Sequence, residues 1–221
     1  MVIHKQSCYI EDMYGQKITP ELGVLAMKAI EKKGRNCYRS GDLITEDSYK
    51  KFLTNIMNRN HYSVIEHCSV SAFIVTNKAI ETETVRHRLS SFSISSTRYC
   101  NFSKDKYGSE IHVVEPFEGL SEDEDWLAAV EASEKAYLKL LEKGYTTDKV
   151  RGVLPLDVKS DIWMTTNLRN WRHYFEMRCT PAAHFQIREI AFSLLEQFYE
   201  AFPPIFEDLY DKFIRKTDED K

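Results

Sequence analysis

Three consecutive residues that can carry positive charge, Arg86, His87 and Arg88, form the most unusual local feature of the sequence. They precede a stretch rich in serine and threonine that ends at Arg98. Arginine binds phosphate through paired N–H groups, and hydroxyls with free backbone N–H groups complete an anion site. Successive helical side chains point about 100° apart, so a ligand that contacts all three residues must lie at a helix end or be enclosed by several elements. A phosphate site and a solvated basic turn both remain open.

A second group of polar and cationic residues lies in the last third of the chain. Arg151 precedes an apolar segment, and a helix is predicted from about Asn167 to Arg178. Arg169 and His173 are four residues apart and therefore share one face of that helix. Because its other side must bury large apolar residues, the pattern predicts the polar wall of a pocket. Ordinary surface ion pairs are the alternative.

Neither a metal site nor a glycine-rich phosphate loop is predicted. His67 and Cys68 are adjacent, which is poor geometry for chelating one ion, and no other His/Cys pair stands at ligand spacing. The Gly-x-Gly-x-x-Gly and P-loop patterns are both absent. The five cysteines include no Cys-x-x-Cys pair, so we expect reduced thiols. A nucleotide would have to be held by arginine, serine and helix ends.

Composition limits the class of protein. The 221 residues include 30 Lys and Arg against 34 Asp and Glu, a formal net charge of −4, and 43% are hydrophobic. This composition, with only 8 Gly and 6 Pro, excludes disordered and collagen-like classes. The acidic total argues against a duplex nucleic-acid partner, which would require a basic face. No apolar run reaches the roughly 18 residues of a membrane helix and no signal peptide is recognisable, so we expect a cytoplasmic protein without a membrane partner.

Hydrophobic spacing and end signals predict the elements that position these residues. Strands are expected at about 2–10, 68–75, 111–114 and 161–165. Helices are expected from a Thr19-Pro20 cap to Gly34, after a Thr45 cap, over 78–91, 122–143 and 167–178, and from a Thr180-Pro181 cap to Pro203. A polar loop is expected over 92–108. Strands and helices that do not alternate regularly predict an α+β fold, with one domain over 1–215 and a charged tail over 216–221.

Taken together, the motifs resemble those of the flavin-dependent thymidylate synthases, also called thymidylate synthase complementing proteins. The family's Arg-His-Arg, seven residues, Ser signature corresponds to Arg86 through Ser96, and Thr97-Arg98-Tyr99 continues it. Three further segments resemble family motifs in the same order along the chain: HYSVIEH at 61–67, VRGVLPLD at 150–157 and TNLRNWRHYFEMR at 166–178.

The resemblance implies a fold, an assembly and a reaction. The fold would be a central, mostly antiparallel sheet with flanking helices, assembled as a homotetramer with active sites shared between subunits. The reaction would be reductive methylation of dUMP to dTMP, with methylenetetrahydrofolate as carbon donor, FAD as hydride carrier and NADPH as reductant. By the same resemblance, Arg178 is the catalytic residue: it would lie against the uracil and favour its N3-ionised form, without a covalent enzyme nucleophile.

The resemblance also assigns binding residues. Those implied for FAD are Ser63, Glu66, Arg86, His87, Arg88, Asn167, Arg169 and His173. Those implied for dUMP are Glu83, Arg86, Ser95, Ser96, Thr97, Arg98, Arg151 and Arg178.

Two alternatives belong to other functional classes. Ile94 stands where many family members have a carboxylate, and Glu83 stands where many have glutamine. A catalytically impaired homologue that binds FAD, deoxyuridine nucleotide or both is therefore the first alternative. The second is an RNA-binding module that combines Arg86, Arg88 and Arg98 with nearby aromatic rings. No recognised RNA-binding motif supports the second, and the chain is acidic overall.

Overall fold

The computed structural model describes residues 1–104 and 107–216. Within these residues, six strands lie at β1 Val2–His4, β2 Ser7–Glu11, β3 Ser69–Asn77, β4 Ser91–Ile94, β5 His112–Val114 and β6 Lys159–Asn167. The helices lie at α1 Pro20–Asn36, α2 Ser48–Asn58, α3 Lys78–Thr84, α4 Glu124–Glu142, α5 Thr147–Val150, α6 Leu168–Arg178, α7 Phe185–Ala201 and α8 Pro203–Tyr210. The predicted α+β class is confirmed.

The main sheet is antiparallel and has four strands, in the order β2-β3-β6-β4. A second sheet has two strands, β1 and β5, paired in parallel with Val2 opposite His112 and His4 opposite Val114. In β6 the buried residues alternate along the strand, Ser160, Ile162, Met164 and Thr166. This period of two is what a strand requires to bury one face.

The chain forms two compact units. The first unit comprises residues 1–7, 74–86 and 92–163, and the second comprises residues 8–73, 87–91 and 164 onward. The predicted tail begins at Lys216, and its residues 217–221 lie outside the described residues. No helix in the described part of the chain has both the length and the apolar character needed to span a bilayer.

In the second unit, aromatic rings pack α6 against α7. The ring centroid of Phe198 lies 5.0 Å from that of Trp171 and 5.3 Å from that of Phe175, and all three side chains are fully buried. Trp171 Nε1 donates a hydrogen bond to the carbonyl of Val70 at 3.0 Å, so its one polar group is satisfied. Trp171 and Phe175 are four residues apart and fix which face of α6 is buried.

In the first unit, β5 and α4 share an apolar cluster. Val113, Val158 and Tyr137 are fully buried in it. The Asp157 carboxylate accepts hydrogen bonds from Asn77 Nδ2 at 3.2 Å and from Trp126 Nε1 at 3.0 Å. These bonds tie the start of β6 to the end of β3 and to α4.

Several end signals were predicted correctly. Thr19 caps α1 by accepting a hydrogen bond from the backbone N–H of Leu22 at 3.4 Å. Gly144 has a φ of +88° and follows the end of α4, a backbone conformation that glycine adopts without steric cost. However, α1 continues past Gly34 to Asn36, because Gly34 provides close packing against Phe52 and does not end the helix.

The predicted helix over 78–91 is wrong beyond Thr84, where α3 ends. Val85 and Leu89 were expected to point inward, yet they are 37% and 87% exposed. Leu89 has a φ of +62°, so the chain reverses here and enters β4. The loop predicted over 92–108 therefore begins with a strand, which the alternation of Ser93 and Ile94 fits.

Three other boundaries differ from prediction. The expected strand over 2–10 is two strands that join different sheets. The residue that caps α2 is Asp47 instead of Thr45, whose backbone N–H is bonded to the Ser48 hydroxyl. Thr180-Pro181 forms a turn before α7, and the His184 imidazole takes the capping role by accepting a hydrogen bond from Gln186 N at 3.3 Å.

Candidate active site

Helix α6 forms the polar wall that the sequence predicts. Its N-cap is Asn167, whose side chain accepts a hydrogen bond from the backbone N–H of Asn170 at 3.0 Å. Leu168, like Trp171 and Phe175, is fully buried. Since these residues occupy the inner face, Arg169 and His173 lie on the exposed face of the helix.

A cavity of about 670 Å³ lies over this face within the second unit. It is lined by Tyr62, Glu66, Leu89, Asn167, Arg169, Asn170, Arg172, His173 and Glu176. Arg169 donates to the Glu66 carboxylate at 2.5 Å. This pair is exposed, so it contributes little to stability. Breaking this ion pair so that either side chain can bind a ligand therefore costs little free energy.

Arg172 anchors the cavity wall from inside. Its guanidinium is 3% exposed, donates two hydrogen bonds to the Asp208 carboxylate at 2.7 and 2.6 Å, and also donates to the carbonyl of Ile205. It also lies 5.0 Å from the centroid of the Tyr62 ring, a cation–π distance. Arg172 thus joins α6, α8 and the turn over 62–67 at the base of the cavity.

His87 and Arg178 form a second arrangement in the same unit. Arg178 Nε donates to His87 Nε2 at 2.9 Å. Burial, followed by the charges of Arg178 and His173, lowers the pKa of His87 to about 4. His87 is therefore neutral at pH 7, with its ring proton on Nδ1, because Nε2 must supply the lone pair. The guanidinium of Arg178, at the last position of α6, is held in a defined orientation.

The first unit contains a separate cavity of about 290 Å³. It is lined by Ser95, Ser96, Thr97, Cys100, Phe102, Tyr107, His112, Lys159 and Asp161. Ser95 pairs with Asp161 through two bonds: its N–H donates to the carbonyl at 2.9 Å, and its hydroxyl accepts from the N–H at 3.1 Å. His112 Nδ1 lies 2.9 Å from Nε2 of His4. Burial, with Lys159 and His112 adding to it, lowers the pKa of His4 despite the opposing Asp161 charge.

The sequence profile of the thymidylate synthase complementing protein family matches residues 25–204. This chain belongs to that family. A flavin-dependent thymidylate synthase from Mycolicibacterium vanbaalenii is 30% identical over 201 residues, which cover 81% of this chain and 78% of that protein.

A second curated relative and one solved structure are also similar to this chain. A flavin-dependent thymidylate synthase from Pyrococcus abyssi is 32% identical over 163 residues, covering 72% of this chain and 66% of that protein, just under two thirds of its length. A crystal structure of a UMP/dUMP methylase, PolB from Streptomyces cacaoi, bound with 5-Br dUMP, has a TM-score of 0.70 and covers 97% of this chain and 99% of that one. At 19% identity, this likeness supports the fold alone.

Of the residues that the resemblance implies for FAD, the second unit brings four together. Glu66, Asn167, Arg169 and His173 line the cavity of about 670 Å³. His87 lies against Arg178. Ser63 and Arg88 are exposed and are not among the residues that line this cavity. Arg86 belongs to the first unit, where its Nε donates to the carbonyl of Thr82 at 3.3 Å.

Of the residues that the resemblance implies for dUMP, the first unit brings three together, Ser95 through Thr97, at its cavity. Glu83 lies in α3, and Arg151 is exposed at the start of a short turn over 151–153. Arg98 is exposed, with its guanidinium 5.3 Å from the centroid of the Tyr99 ring. These three residues do not line the cavity, and their nucleotide contacts stay a prediction.

Sequence reasoning missed several residues that line the two cavities of this family member. In the second unit these are Tyr62, Leu89, Asn170, Arg172 and Glu176, and in the first unit they are Cys100, Phe102, Tyr107, His112, Lys159 and Asp161. The spacing from Asn167 to Asn170 was available as a capping signal. No comparable signal precedes His112 or Lys159, because the partners that place them are distant in the sequence.

The cysteines of this family member are free thiols in the described structure. Burial raises the pKa of Cys68 to about 11 and that of Cys179 to about 12. Since the thiolate is the nucleophilic form, both side chains are unreactive at pH 7. Among residues 1–104 and 107–216, no group of three or more His, Cys, Asp or Glu side chains has the arrangement of a metal site.

Proposed function

We propose that the protein catalyses the reductive methylation of dUMP to dTMP, with methylenetetrahydrofolate as carbon donor, FAD as cofactor and NADPH as reductant. The observation that carries the proposal is the orientation of Arg178, held by a neutral His87 at 2.9 Å, in a chain of this family. A fixed guanidinium stabilises negative charge that develops on a pyrimidine ring where water is excluded. Arg178 is accordingly the proposed catalytic residue.

The cavity of the second unit fits a flavin nucleotide. Its lining combines guanidinium, amide and imidazole donors, the groups that bind a pyrophosphate. Within the described residues, the buried Nε of Arg172 has no hydrogen-bond partner. We propose that Glu66, Asn167, Arg169 and His173 hold the cofactor here, with Ser63, Arg86, His87 and Arg88 also contributing. When bound, FAD supplies hydride transfer, and the protein supplies position and electrostatics.

We propose that the hydroxyls of the first unit's cavity bind the nucleotide. Ser95, Ser96 and Thr97 line it beside Lys159, and hydroxyls beside a cation bind a phosphate. Glu83, Arg86, Arg98 and Arg151 are proposed to join this set through the family assignment. We propose a single domain over 1–215 that assembles as a homotetramer. Size-exclusion chromatography with light scattering will measure the mass of the assembly and hence the number of subunits.

The decisive experiment measures flavin and product in the same preparation. The purified protein is expected to show flavin absorbance, directly or after reconstitution with FAD. It should convert dUMP to dTMP, quantified by chromatography, only when methylenetetrahydrofolate and NADPH are both present. A protein that gains no flavin on reconstitution would refute the proposal. FAD and dUMP binding without turnover would instead support the impaired homologue that Glu83 and Ile94 suggest.

Residue variants separate the proposed roles. Arg178→Ala should retain FAD and lose about 100-fold or more of turnover, the scale for removing one donor that stabilises transition-state charge. Arg88→Ala and His87→Ala should weaken FAD binding. Arg59→Ala is the matched control, because Arg59 is an exposed arginine of the same unit at the end of α2. Undiminished flavin affinity in both the Arg88 and the His87 variants would contradict the cofactor assignment.

A further inference from the structure

Leu89 adopts a backbone conformation that leucine disfavours. Its φ is +62°, in the left-handed region. For an L-residue with a Cβ, this conformation is disfavoured by a population factor of roughly 5 to 30. The Leu89 side chain is 87% exposed and lies at the rim of the cavity of about 670 Å³, so burial of the side chain does not compensate for the conformation.

Two side chains hold the Leu89 carbonyl in this conformation. Thr166 Oγ1 donates to it at 3.0 Å, and Asn170 Nδ2 donates to it at 3.2 Å. Asn170 Nδ2 also lies 3.0 Å from Thr166 Oγ1, so the three groups form a closed network. Thr166 is the penultimate residue of β6 and is 4% exposed, and Asn170 is in the first turn of α6. Both donors therefore sit on rigid elements.

We infer that Thr166 and Asn170 are positioning residues that hold Leu89 in its left-handed conformation and thereby fix the turn over 87–91 at the mouth of the cavity. This inference rests on the proposed function, since it assigns the turn to flavin binding. The turn is held at two places on α6. The Leu89 carbonyl is bound near the helix start, and His87 accepts from Arg178 at the helix end.

The hydrogen bonds to the Leu89 carbonyl increase the fraction of molecules whose turn is in the conformation that binds FAD. Arg88 lies between the two held residues, and its own side chain is exposed. Without the donors to the Leu89 carbonyl, the turn relaxes toward ordinary negative φ values. Apparent affinity then falls in proportion to the fraction that remains competent. Loss of the network should weaken FAD binding by roughly 5- to 30-fold, the same factor that disfavours the left-handed conformation.

The test removes both side-chain donors to the Leu89 carbonyl. Thr166→Val keeps the branched shape, and Asn170→Ala leaves the backbone N–H that Asn167 caps. The double variant is titrated with FAD by fluorescence, and the expected result is the 5- to 30-fold loss of affinity given above. Thr165→Val is the matched control, because Thr165 Oγ1 bonds Ser71 Oγ at 2.7 Å on the adjacent residue of the same strand. The control should change the affinity by less than about twofold.

Repeating the test in a Leu89→Asn variant distinguishes a positioning role from a general loss of structure. Asparagine populates the left-handed region more readily than leucine, so Leu89→Asn should make the network less necessary. In that background, the Thr166→Val and Asn170→Ala pair should weaken FAD binding by less than about threefold. Equal losses in the two backgrounds would overturn the inference, because a merely structural role would not depend on residue 89.

Hydrogen exchange provides a readout that needs no flavin. In the ligand-free protein, peptides that cover 87–91 should exchange faster in the double variant and should remain at the control rate in Thr165→Val. Unchanged exchange in the double variant would overturn the positioning role whatever the flavin result. Faster exchange in the double variant, together with a wild-type protein that binds no FAD, would leave the network supported and refute the proposed function alone.

Discussion

His87 makes the acid stability of the protein predictable. The pKa of His87 is lowered to about 4 from its ordinary 6.5, because the ring is buried and faces Arg178 and His173. Between these two pH values the unfolded chain binds a proton that the folded chain does not. The free energy of unfolding therefore rises with pH across this window. The contribution of His87 is complete above pH 6.5, falls as the pH drops toward 4, and is constant below 4.

The magnitude follows from the size of the shift. A displacement from 6.5 to about 4 corresponds to about 3 kcal/mol at 1.36 kcal/mol per unit of pKa. His87 is only partly buried, so solvent screening reduces the expected change to about 1–2 kcal/mol. Protonation also places a second donor opposite Arg178 Nε, where Nε2 now accepts at 2.9 Å. Acid should thus release the Arg178 side chain.

Two measurements check this prediction. Urea unfolding from pH 7 to pH 4 should show that wild type loses about 1–2 kcal/mol more than His87→Gln, which keeps an acceptor for Arg178 but cannot titrate. His61→Gln, which removes an exposed imidazole of the same unit, is the control and should follow wild type. NMR titration of the His87 ring should give a pKa well below 6.5. A value at or above 6.5, or parallel stability curves for wild type and His87→Gln, would refute the reasoning.

Further predictions concern packing in the second unit. Gly23→Ala should destabilise the protein by about 1–3 kcal/mol in urea unfolding, although alanine is the better helix former, because a Cβ would lie 1.9 Å from the Ala201 carbonyl oxygen. Gly41→Ala meets no atom within 4 Å, and a loss as large there would contradict the steric explanation. Arg172→Met should cost about 2–4 kcal/mol, because it removes the part-buried bonds to Asp208 and the buried bond to the Ile205 carbonyl. Unchanged thermal unfolding of Arg172→Met would show that the pair is dispensable.

The helices were more predictable than the turn between α3 and β4. The α6 prediction succeeded because capping by Asn167 and burial of Trp171 and Phe175 are local signals within one helix. The helix predicted through Leu89 failed because its apolar spacing continued past Thr84, although the chain turns there. The spacing of apolar residues cannot report that a carbonyl is held by side chains about 80 positions away.

The sequence by itself determined the family, the α+β class and the polar face of α6, because motif order, capping and hydrophobic period are properties of short segments. Only the tertiary structure decided the partners of that face. Glu66 and Arg169 are 103 positions apart, and His87 and Arg178 are 91 apart. Hydrophobic spacing shows which side of a helix or strand is buried, but only tertiary packing determines which element covers that side. The pKa of His87 is lowered because tertiary packing buries its ring and places it beside Arg178 and His173.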